Sequence, residues 1–335
     1  MEVNNQPRTP MSRKEINEKT ARIKKVTRRT FIYVILIAFA IVNAYPIVWM
    51  ILNSFKSGQE FALNPFGLPT EWVWTNYVEA WFTANINTYF FNSVIVGGAA
   101  VVLTVLFGAL ASYFLARFRF KGQKVLYSFF ILGLLVPIHA TLVPMFILMQ
   151  NIGLLDTRLA LIFPYIAFNL SITIFLLTNF MRSFPQEIEE SAVMDGAGVF
   201  KIFWSIILPM TRPVLATVII INFINNWNEF SFALVLINDD MLRTLPLGLA
   251  NFAGQHSTNY TAQMAALTIV LVPTILFYLF MEKQIVEGMT QGAVKGRWKA
   301  SCPINLGRGV ILLKSFTRIC TFAILTLLTC RTCDK

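Results

Sequence analysis

The chain has 335 residues, of which 56% are hydrophobic and only 13% charged, and its mean hydropathy is +0.61. A soluble domain carries about 25% charged residues, so this composition excludes an ordinary soluble globular protein. The net charge of +11 requires no nucleic-acid partner, because the basic loops of a membrane protein and a basic tail explain it.

Apolar segments long enough to cross a membrane recur along the chain. A helix needs about 20 apolar residues to cross a hydrocarbon core of about 30 Å. The prolines inside these segments, Pro137, Pro144 and Pro164, favour a packed bundle, in which neighbouring helices satisfy the backbone groups that proline frees. The predicted fold class is therefore all-α, a polytopic membrane protein with a six-helix transmembrane bundle. The predicted spans lie near residues 31–52, 90–115, 125–149, 159–180, 214–237 and 264–282.

The N-terminal segment, residues 1–30, is polar and basic. The span that follows it lacks a small-residue cleavage site and extends to Leu52, which indicates an uncleaved anchor and not a signal peptide. We expect 1–30 to form a cytoplasmic segment and 31–296 to form the transmembrane domain.

The C-terminal segment, residues 297–335, differs in composition from the rest. It contains an apolar run at 319–329 that is too short to span a membrane. Three explanations stay open: an interfacial helix, an additional pairing element, or a tail produced by a shifted reading frame, which we favour. All four cysteines lie in this segment, at Cys302, Cys320, Cys330 and Cys333.

The distribution of Lys and Arg among the loops predicts the orientation. The N-terminal segment is rich in both, Arg117, Arg119, Lys121 and Lys124 follow the second span, and Arg182, Lys201 and Arg212 lie in the 181–213 loop. The three loops predicted on the opposite side of the membrane hold little more than Lys56, Arg158 and Arg243. Both termini and the 181–213 loop are therefore predicted to be cytoplasmic.

Signals for catalysis are weak. The sequence has no G-x-x-x-x-G-K-[ST] phosphate loop, so it predicts no ATPase site of that kind. His139 and His256 lack partners at metal-ligand spacing. We expect a transport protein that is not an enzyme and that binds no metal or cofactor itself.

The loop at about 185–213 is the longest polar interruption between apolar segments in the second half of the chain. Pro185 precedes an acidic first turn that includes Glu187 and Glu190, which complements the positive end of a helix. Asp195-Gly196 is a turn signal, and the amphipathic run after it ends at Leu208-Pro209. The pattern predicts helix, glycine turn and helix, projecting into the cytoplasm. From charge and periodicity alone, an ordinary loop on the membrane surface remains the alternative.

This loop resembles the EAA loop of the membrane-spanning subunits of bacterial ABC importers. Ser191 departs from the usual alanine. Further segments, among them Pro137–Pro144, Trp227–Phe230 and Arg243–Gly248, resemble the carbohydrate-importer branch. The similarity covers about residues 25–296 and most resembles the shorter, maltose-type permease subunit. The residues that match in order and spacing are Glu190, Ala192, Asp195, Gly196, Ala197, Phe203, Ile206, Leu208 and Pro209.

The resemblance implies a binding-protein-dependent importer of a sugar or oligosaccharide in the bacterial inner membrane. It implies a second permease subunit, an extracellular solute-binding protein and two cytoplasmic ATPases that use the ATP. The loop would then seat in the ATPase and couple hydrolysis to transport. The residues implied in coupling are Glu187, Glu190, Ala192, Asp195, Gly196, Ala197, Leu208 and Pro209.

The substrate pathway is less clearly marked. Trp227, Asn228 and Glu229 lie in the fifth predicted span, where an acidic residue at mid-bilayer costs roughly 2.5–3.5 kcal/mol and should face the bundle interior. They are candidates to line a sugar pathway, with Trp227 stacking on a sugar face. The alternative is that they hydrogen-bond within the protein or to a partner permease, and the same choice applies to Asn92, Asn169 and Asn222.

Other functions stay open at this point. A permease of the same class could import another polar solute such as glycerol phosphate. An ion-coupled secondary transporter is disfavoured, because the spans contain essentially Glu229 alone among acidic groups. An intramembrane enzyme is disfavoured by the absence of paired acidic or metal-binding groups in the spans.

Overall fold

The computed structural model describes residues 13–255 and 259–293. All regular secondary structure within these ranges is helical. His256, the cysteines and the expectations for residues 297–335 lie outside the described residues. The described residues fall into two compact units. The first contains residues 13–49, and the second contains residues 50–255 and 259–293.

Fourteen α-helices lie in the described ranges. They are α1 (Arg13–Ser54), α2 (Gly58–Leu63), α3 (Thr75–Val78), α4 (Ile86–Arg117), α5 (Gln123–Leu132), α6 (Leu142–Asn151), α7 (Arg158–Met181), α8 (Glu187–Met194), α9 (Val199–Ile202), α10 (Leu208–Met210), α11 (Arg212–Trp227), α12 (Ser231–Leu236), α13 (Leu245–Gln255) and α14 (Tyr260–Ala293).

Four helical segments are long and apolar enough to cross a membrane: Thr30–Ser54, Ile86–Arg117, Arg158–Met181 and Tyr260–Phe277. Two further pairs of helical segments are long and apolar enough only when both members of a pair are counted as one bent span. The first pair is Gln123–Leu135 with Ile138–Asn151, and the second is Val199–Met210 with Arg212–Trp227. The all-α polytopic membrane fold is confirmed. The described residues contain four spans, or up to six if each bent pair is one span.

The third predicted span, 125–149, is not one continuous helix. Its two parts meet at 99°. Pro137 has no N–H and disfavours helical geometry in Val136, which is extended at φ −75° and ψ 116°. A short 3₁₀ turn, Ile138–Thr141, which contains His139, leads into α6.

The fifth predicted span, 214–237, is also interrupted. Helix α11 begins at Arg212 with Pro213 in its first turn, where a missing N–H is tolerated. It ends at Trp227, and the short helix α12 follows after three residues. The predicted span therefore does not run as a single helix through Trp227, Asn228 and Glu229.

The second half of the 185–213 loop differs in detail from a single amphipathic helix. A wide helical turn, Phe203–Ile207, separates α9 from α10. The ring of Pro209 displaces the carbonyl of Ser205, four residues earlier, and a wider turn accommodates this. The chain then bends by 78° between Met210 and Arg212. The hydroxyl of Thr211 donates to the carbonyl of Leu208 at this bend, over 2.8 Å.

The core of the second unit is built on the pair α4 and α7. They approach closely at Gly108, where an added Cβ would collide with the side chain of Thr173. Such small residues let transmembrane helices pack backbone to backbone. Helix α11 packs against both of them and against α14.

Helices α6 and α12, the second parts of the two interrupted spans, belong to one apolar cluster. Met149, Phe232 and Leu236 are buried together in it. The adjoining loops are tied by Asp156, whose carboxylate accepts hydrogen bonds from the N–H groups of Asn238 and Asp239 at 2.9 and 3.0 Å. The two half-spans are therefore joined by both packing and hydrogen bonds.

Candidate coupling loop and polar transmembrane cluster

The segment Glu187–Pro209, termed the coupling loop below, starts with the eight-residue helix α8. Its first turn contains Glu187, Glu189 and Glu190, whose negative charge is favourable at the positive end of a helix. The hydroxyl of Ser191 donates to the carbonyl of Glu187 over 2.7 Å. A serine is thus accommodated at this position by a bond inside the helix.

Helix α8 ends in a Schellman motif centred on Gly196. The N–H of Ala197 donates to the carbonyl of Ala192, and the N–H of Gly196 donates to the carbonyl of Val193, both at 2.9 Å. Gly196 has φ +80°, a left-handed conformation that glycine adopts without cost. Ala192 and Ala197 pack in the same apolar cluster, as is usual for this motif. Backbone geometry therefore requires the glycine and favours the two alanines.

Glu189 joins the coupling loop to the end of α4. Its carboxylate lies 2.5 Å from Nε of Arg117, and the two side chains are only 15% and 7% exposed. The hydroxyl of Tyr113 donates to the same carboxylate over 3.3 Å. Arg117 also donates from Nη1 to the carbonyl of Phe184 over 3.2 Å. Sequence reasoning missed Glu189 as a site residue and treated Arg117 only as an orientation signal.

One face of the coupling loop is buried against the transmembrane helices. Ala192, Ile202, Phe203 and Ile207 lie in one cluster with residues of α4, α7 and α11. The rings of Phe203 and Tyr113 are 5.3 Å apart. The residues that these three helices contribute to the cluster include Ala109, Tyr113, Leu177, Met181, Val214 and Val218. The loop is therefore fixed to three membrane-crossing elements at once.

The other face of the loop is exposed. Glu187, Glu190, Asp195 and Gly196 are exposed, whereas Ala197, Leu208 and Pro209 are half-buried and Ala192 is buried. Apolar side chains share the exposed face: Met194 is 87% exposed, Phe200 68% and Val193 58%. Exposed apolar groups next to acidic ones are typical of a protein-binding surface.

The three candidate pathway residues lie at the junction of α11 and α12. The indole of Trp227 is buried, stacks on Phe223 at 5.4 Å and meets the ring of Phe90 edge-on at 5.8 Å. The amide of Asn228 donates to the carbonyl of Ile224 over 2.9 Å. The structure thus brings Trp227 into an aromatic cluster and uses Asn228 at the end of a helix.

Glu229 is engaged by groups of this chain. Its carboxylate accepts hydrogen bonds from the N–H groups of Phe232 and Ala233, at 2.7 and 3.3 Å, in the first turn of α12. The hydroxyl of Tyr165 on α7 donates to it over 2.8 Å. The two backbone bonds explain why the span breaks here, because the carboxylate satisfies N–H donors that begin a new helix.

A chain of asparagines connects α7 with α11. Asn169 donates to Asn226 over 2.6 Å, and the exposed Asn225 donates to Asn169 over 3.1 Å. Asn222 donates to Thr173 over 3.0 Å. Asn92 is used elsewhere and donates to the carbonyls of Met241 and Arg243. Asn169 and Asn222 were already candidates from the sequence, but their partners Asn226 and Thr173 could not be identified from it.

Helices long enough to cross a membrane, joined to a loop with an acidic and apolar exposed face, define an integral membrane protein with a candidate docking surface at one end. A profile of the family described as "Binding-protein-dependent transport system inner membrane component" matches residues 104–291, more than half of the chain. The chain belongs to this family.

Individual relatives are similar over more than four-fifths of the chain. The diacetylchitobiose uptake system permease protein NgcG of Streptomyces coelicolor is 39% identical over 282 residues, covering 83% of this chain and 93% of the relative. The trehalose/maltose transport system permease protein MalG of Thermococcus litoralis is 34% identical over 277 residues, covering 82% of this chain and 99% of the relative.

Among solved structures, the chain is similar to one of a bacterial ABC transporter involved in the import of the acidic polysaccharide alginate. The TM-score is 0.67 at 26% sequence identity, and the match covers 82% of this chain and 99% of that chain. The resemblance to a permease of this kind, inferred from the EAA pattern, is confirmed.

Proposed function

We propose that this chain is a permease subunit of a carbohydrate importer and that it forms the membrane pathway with a second permease. The single observation that carries the proposal is the two-faced coupling loop, buried against α4, α7 and α11 and exposed on an acidic and apolar face. The permeases NgcG and MalG, named for diacetylchitobiose and for trehalose and maltose, support a sugar as the substrate class.

The exposed face would dock into a separate ATPase subunit, which binds and hydrolyses the ATP. Glu187, Glu190 and Asp195 would meet basic groups there, while Met194 and Phe200 would be buried in a cleft. Gly196 fixes the turn between the two helical parts of the loop. Ala192, Ala197 and Leu208 would hold those parts against the membrane helices, and Pro209 would shape the turn that precedes α11. This chain would itself carry out no covalent chemistry and hold no cofactor.

Movement of the ATPases would be transmitted because the loop is not an independent flap. The ion pair of Glu189 with Arg117 and the packing of Phe203 on Tyr113 connect it to α4. Since α4 packs along α7 and against α11, displacement of the loop would displace three spans together. Such rocking of a helix bundle is the general basis of alternating access.

We further propose that the coupling loop and both termini face the cytoplasm of a bacterial cell and that the opposite ends of the spans meet a solute-binding protein. The distribution of basic residues among the loops supports this orientation. The family's dependence on a binding protein supports this arrangement. Lipid surrounds the exposed apolar helix faces.

The polar cluster at the end of α11 would form part of the pathway wall. Trp227, Asn228 and Glu229 already have partners within the chain, which favours a role in shaping the wall over direct contact by all three. The exposed Asn225 amide, held by Asn169, offers a group that can bond to a sugar hydroxyl.

The decisive test is a reconstituted importer containing this chain, its partner permease, the ATPases and the binding protein. We expect ATP hydrolysis to rise when the binding protein is loaded with sugar, and sugar to accumulate in vesicles only with ATP. Sugar uptake without an ATPase would contradict the proposal. Hydrolysis stimulated by a non-carbohydrate solute alone would contradict the substrate class.

A further inference from the structure

A cavity of about 470 Å³ lies next to the coupling loop, where α4 ends, α5 begins and α7 ends. This volume falls within the range of roughly 300–1,000 Å³ found for small-molecule sites. Its polar lining includes Arg117, Arg119, Gln123, Lys124, Tyr127 and Arg182.

The lining is strongly cationic. Four of its side chains carry positive charge, and of these four only Arg117 forms a salt bridge within the described part of the chain, with Glu189. Arg119, Lys124 and Arg182 are without a carboxylate partner in the described part of the chain. Like charges brought together around one concave space attract an anion.

Two of the cavity's groups are held in place before any ligand arrives. The guanidinium of Arg182 lies over the ring of Tyr127, 4.8 Å from its centre, and donates from Nη2 to the carbonyl of Leu115 over 3.1 Å. Gln123 donates to the same carbonyl over 2.7 Å. The bond from Arg182 uses one of the five N–H donors of a guanidinium, so the others are available.

The start of α5 adds to the positive field. Gln123 and Lys124 are the first residues of this ten-residue helix and line the cavity. The preceding Gly122, at φ +90°, turns the chain tightly into the helix. The N–H groups of a first helical turn bind phosphate oxygens, and the helix dipole favours an anion there.

We propose that this cavity binds a phosphate group and that the phosphate belongs to the headgroup of an anionic membrane lipid. Arginine forks match the planar faces of phosphate oxygens. The cavity lies at the ends of α4 and α7, two helices long and apolar enough to cross a membrane, and on α5 the side chains of Val125 and Phe129 are 74% and 68% exposed. Those apolar groups provide a surface for acyl chains next to a basic pocket, an arrangement typical of anionic-lipid sites.

Through Arg117, lipid binding at this site would affect the coupling of ATP hydrolysis to transport. Arg117 lines the cavity and also forms the ion pair with Glu189 in the coupling loop. A lipid phosphate would approach the same guanidinium from the cavity side. The fraction of anionic lipid would therefore change how firmly the loop is held, and with it the coupling of hydrolysis to transport.

The test compares lipid bound to the purified importer complex by native mass spectrometry after exchange into mixed phosphatidylglycerol and phosphatidylcholine. The triple variant Arg119→Gln, Lys124→Gln, Arg182→Gln removes three cavity charges. The matched control Lys24→Gln, Lys121→Gln, Arg212→Gln removes three exposed charges outside the cavity lining. We expect the wild type and the control to retain phosphatidylglycerol. The cavity variant should retain at least about tenfold less of this lipid than the wild type. Equal retention in all three would overturn the proposal.

A second measurement separates the two sources of phosphate. Inorganic phosphate is titrated into the delipidated complex, and short-chain phosphatidylglycerol is then added as competitor. Displacement of phosphate by the lipid supports the lipid site, whereas phosphate binding that the lipid does not affect overturns it. If the triple variant does not assemble, Lys124→Gln alone is compared with Lys121→Gln, and we expect about fivefold weaker retention of the lipid. Equal retention by these two single variants counts against the site.

Discussion

The carboxylate of Glu189 and the guanidinium of Arg117 form an ion pair of 2.5 Å that fastens the coupling loop to the end of α4. Both side chains are largely buried, and the arginine also bonds to the carbonyl of Phe184. Loss of one member of such a pair leaves a charge without a partner in a poorly solvated place.

We expect Glu189→Gln to lower the free energy of unfolding by about 3 kcal/mol and to uncouple ATP hydrolysis from sugar. Glu71→Gln is the control, because Glu71 is an exposed carboxylate outside the coupling loop, and its effect on stability should stay within about 0.5 kcal/mol. Melting of the purified complex and hydrolysis with loaded binding protein measure the two effects. Equal melting temperatures for both variants would show that the ion pair does not hold the loop.

The turn at Gly196 gives a prediction about backbone geometry. Nothing lies within 4 Å of a Cβ added at Gly196 or at Gly198, but only Gly196 has positive φ. Gly196→Ala should therefore destabilise the loop by about 1–2 kcal/mol through strain alone, whereas Gly198→Ala should be nearly neutral. Stimulated ATP hydrolysis and the melting temperature report this difference. If the two variants behave alike, the left-handed turn is not required for coupling.

The contact between α4 and α7 at Gly108 predicts that a larger residue there would overpack the interface between the two helices. A Cβ there would collide with Thr173, whereas a Cβ at Gly97 in the same helix would lie 3.7 Å from Cβ of Asn226, an ordinary contact. Gly108→Ala should cost about 1–3 kcal/mol, and Gly97→Ala should not destabilise. The melting temperature of the assembled complex distinguishes them. Equal stability would mean that the two helices separate easily at this point.

The exposed face of the coupling loop predicts where an ATPase binds. Phe200 is 68% exposed on this face, and Phe82 is 64% exposed just before the start of α4, whose other end contacts the loop. Phe200→Ser should reduce co-purification of the ATPase by at least about tenfold, because a buried aromatic anchor dominates binding energy. Phe82→Ser should leave the ATPase bound. Undiminished ATPase binding by the Phe200 variant would exclude this face as the docking surface.

Glu229 tests whether the polar cluster positions helices or touches sugar. Glu229→Gln replaces one acceptor oxygen by a donor, so a backbone N–H or the Tyr165 hydroxyl loses its partner, at about 1–3 kcal/mol. We expect a lower melting temperature, with Tyr165→Phe reproducing part of it. A higher KM for transport with unchanged melting of both variants would instead favour direct contact with the sugar.

Local signals made part of this structure predictable. Asp195-Gly196 marks a turn because only a few residues adopt positive φ, and the resulting Schellman motif also explains Ala192 and Ala197. The apolar spans follow from the thickness of the bilayer. These features depend on neighbours in the chain, so the sequence pattern is sufficient to find them.

Features that depend on distant residues were not predictable in the same way. Glu189 meets Tyr113 across 76 positions, and Asn169 meets Asn226 across 57. The break after Trp227 depends on the carboxylate of Glu229 turning to the N–H groups of α12, which hydropathy does not encode. Pro137 could have signalled the break of the third span, but proline is also tolerated inside transmembrane helices.

The two interrupted spans have a consequence for motion. Helices α6 and α12 pack in one cluster, and Asp156 ties their neighbouring loops. A rotation of this paired block about the two breaks, near residues 136–141 and 228–230, would also move the connections that lead from α6 to α7 and from α12 to α13. Opening at that end of the bundle would thus swivel two short helices and the loops that follow them, with no long helix unwound.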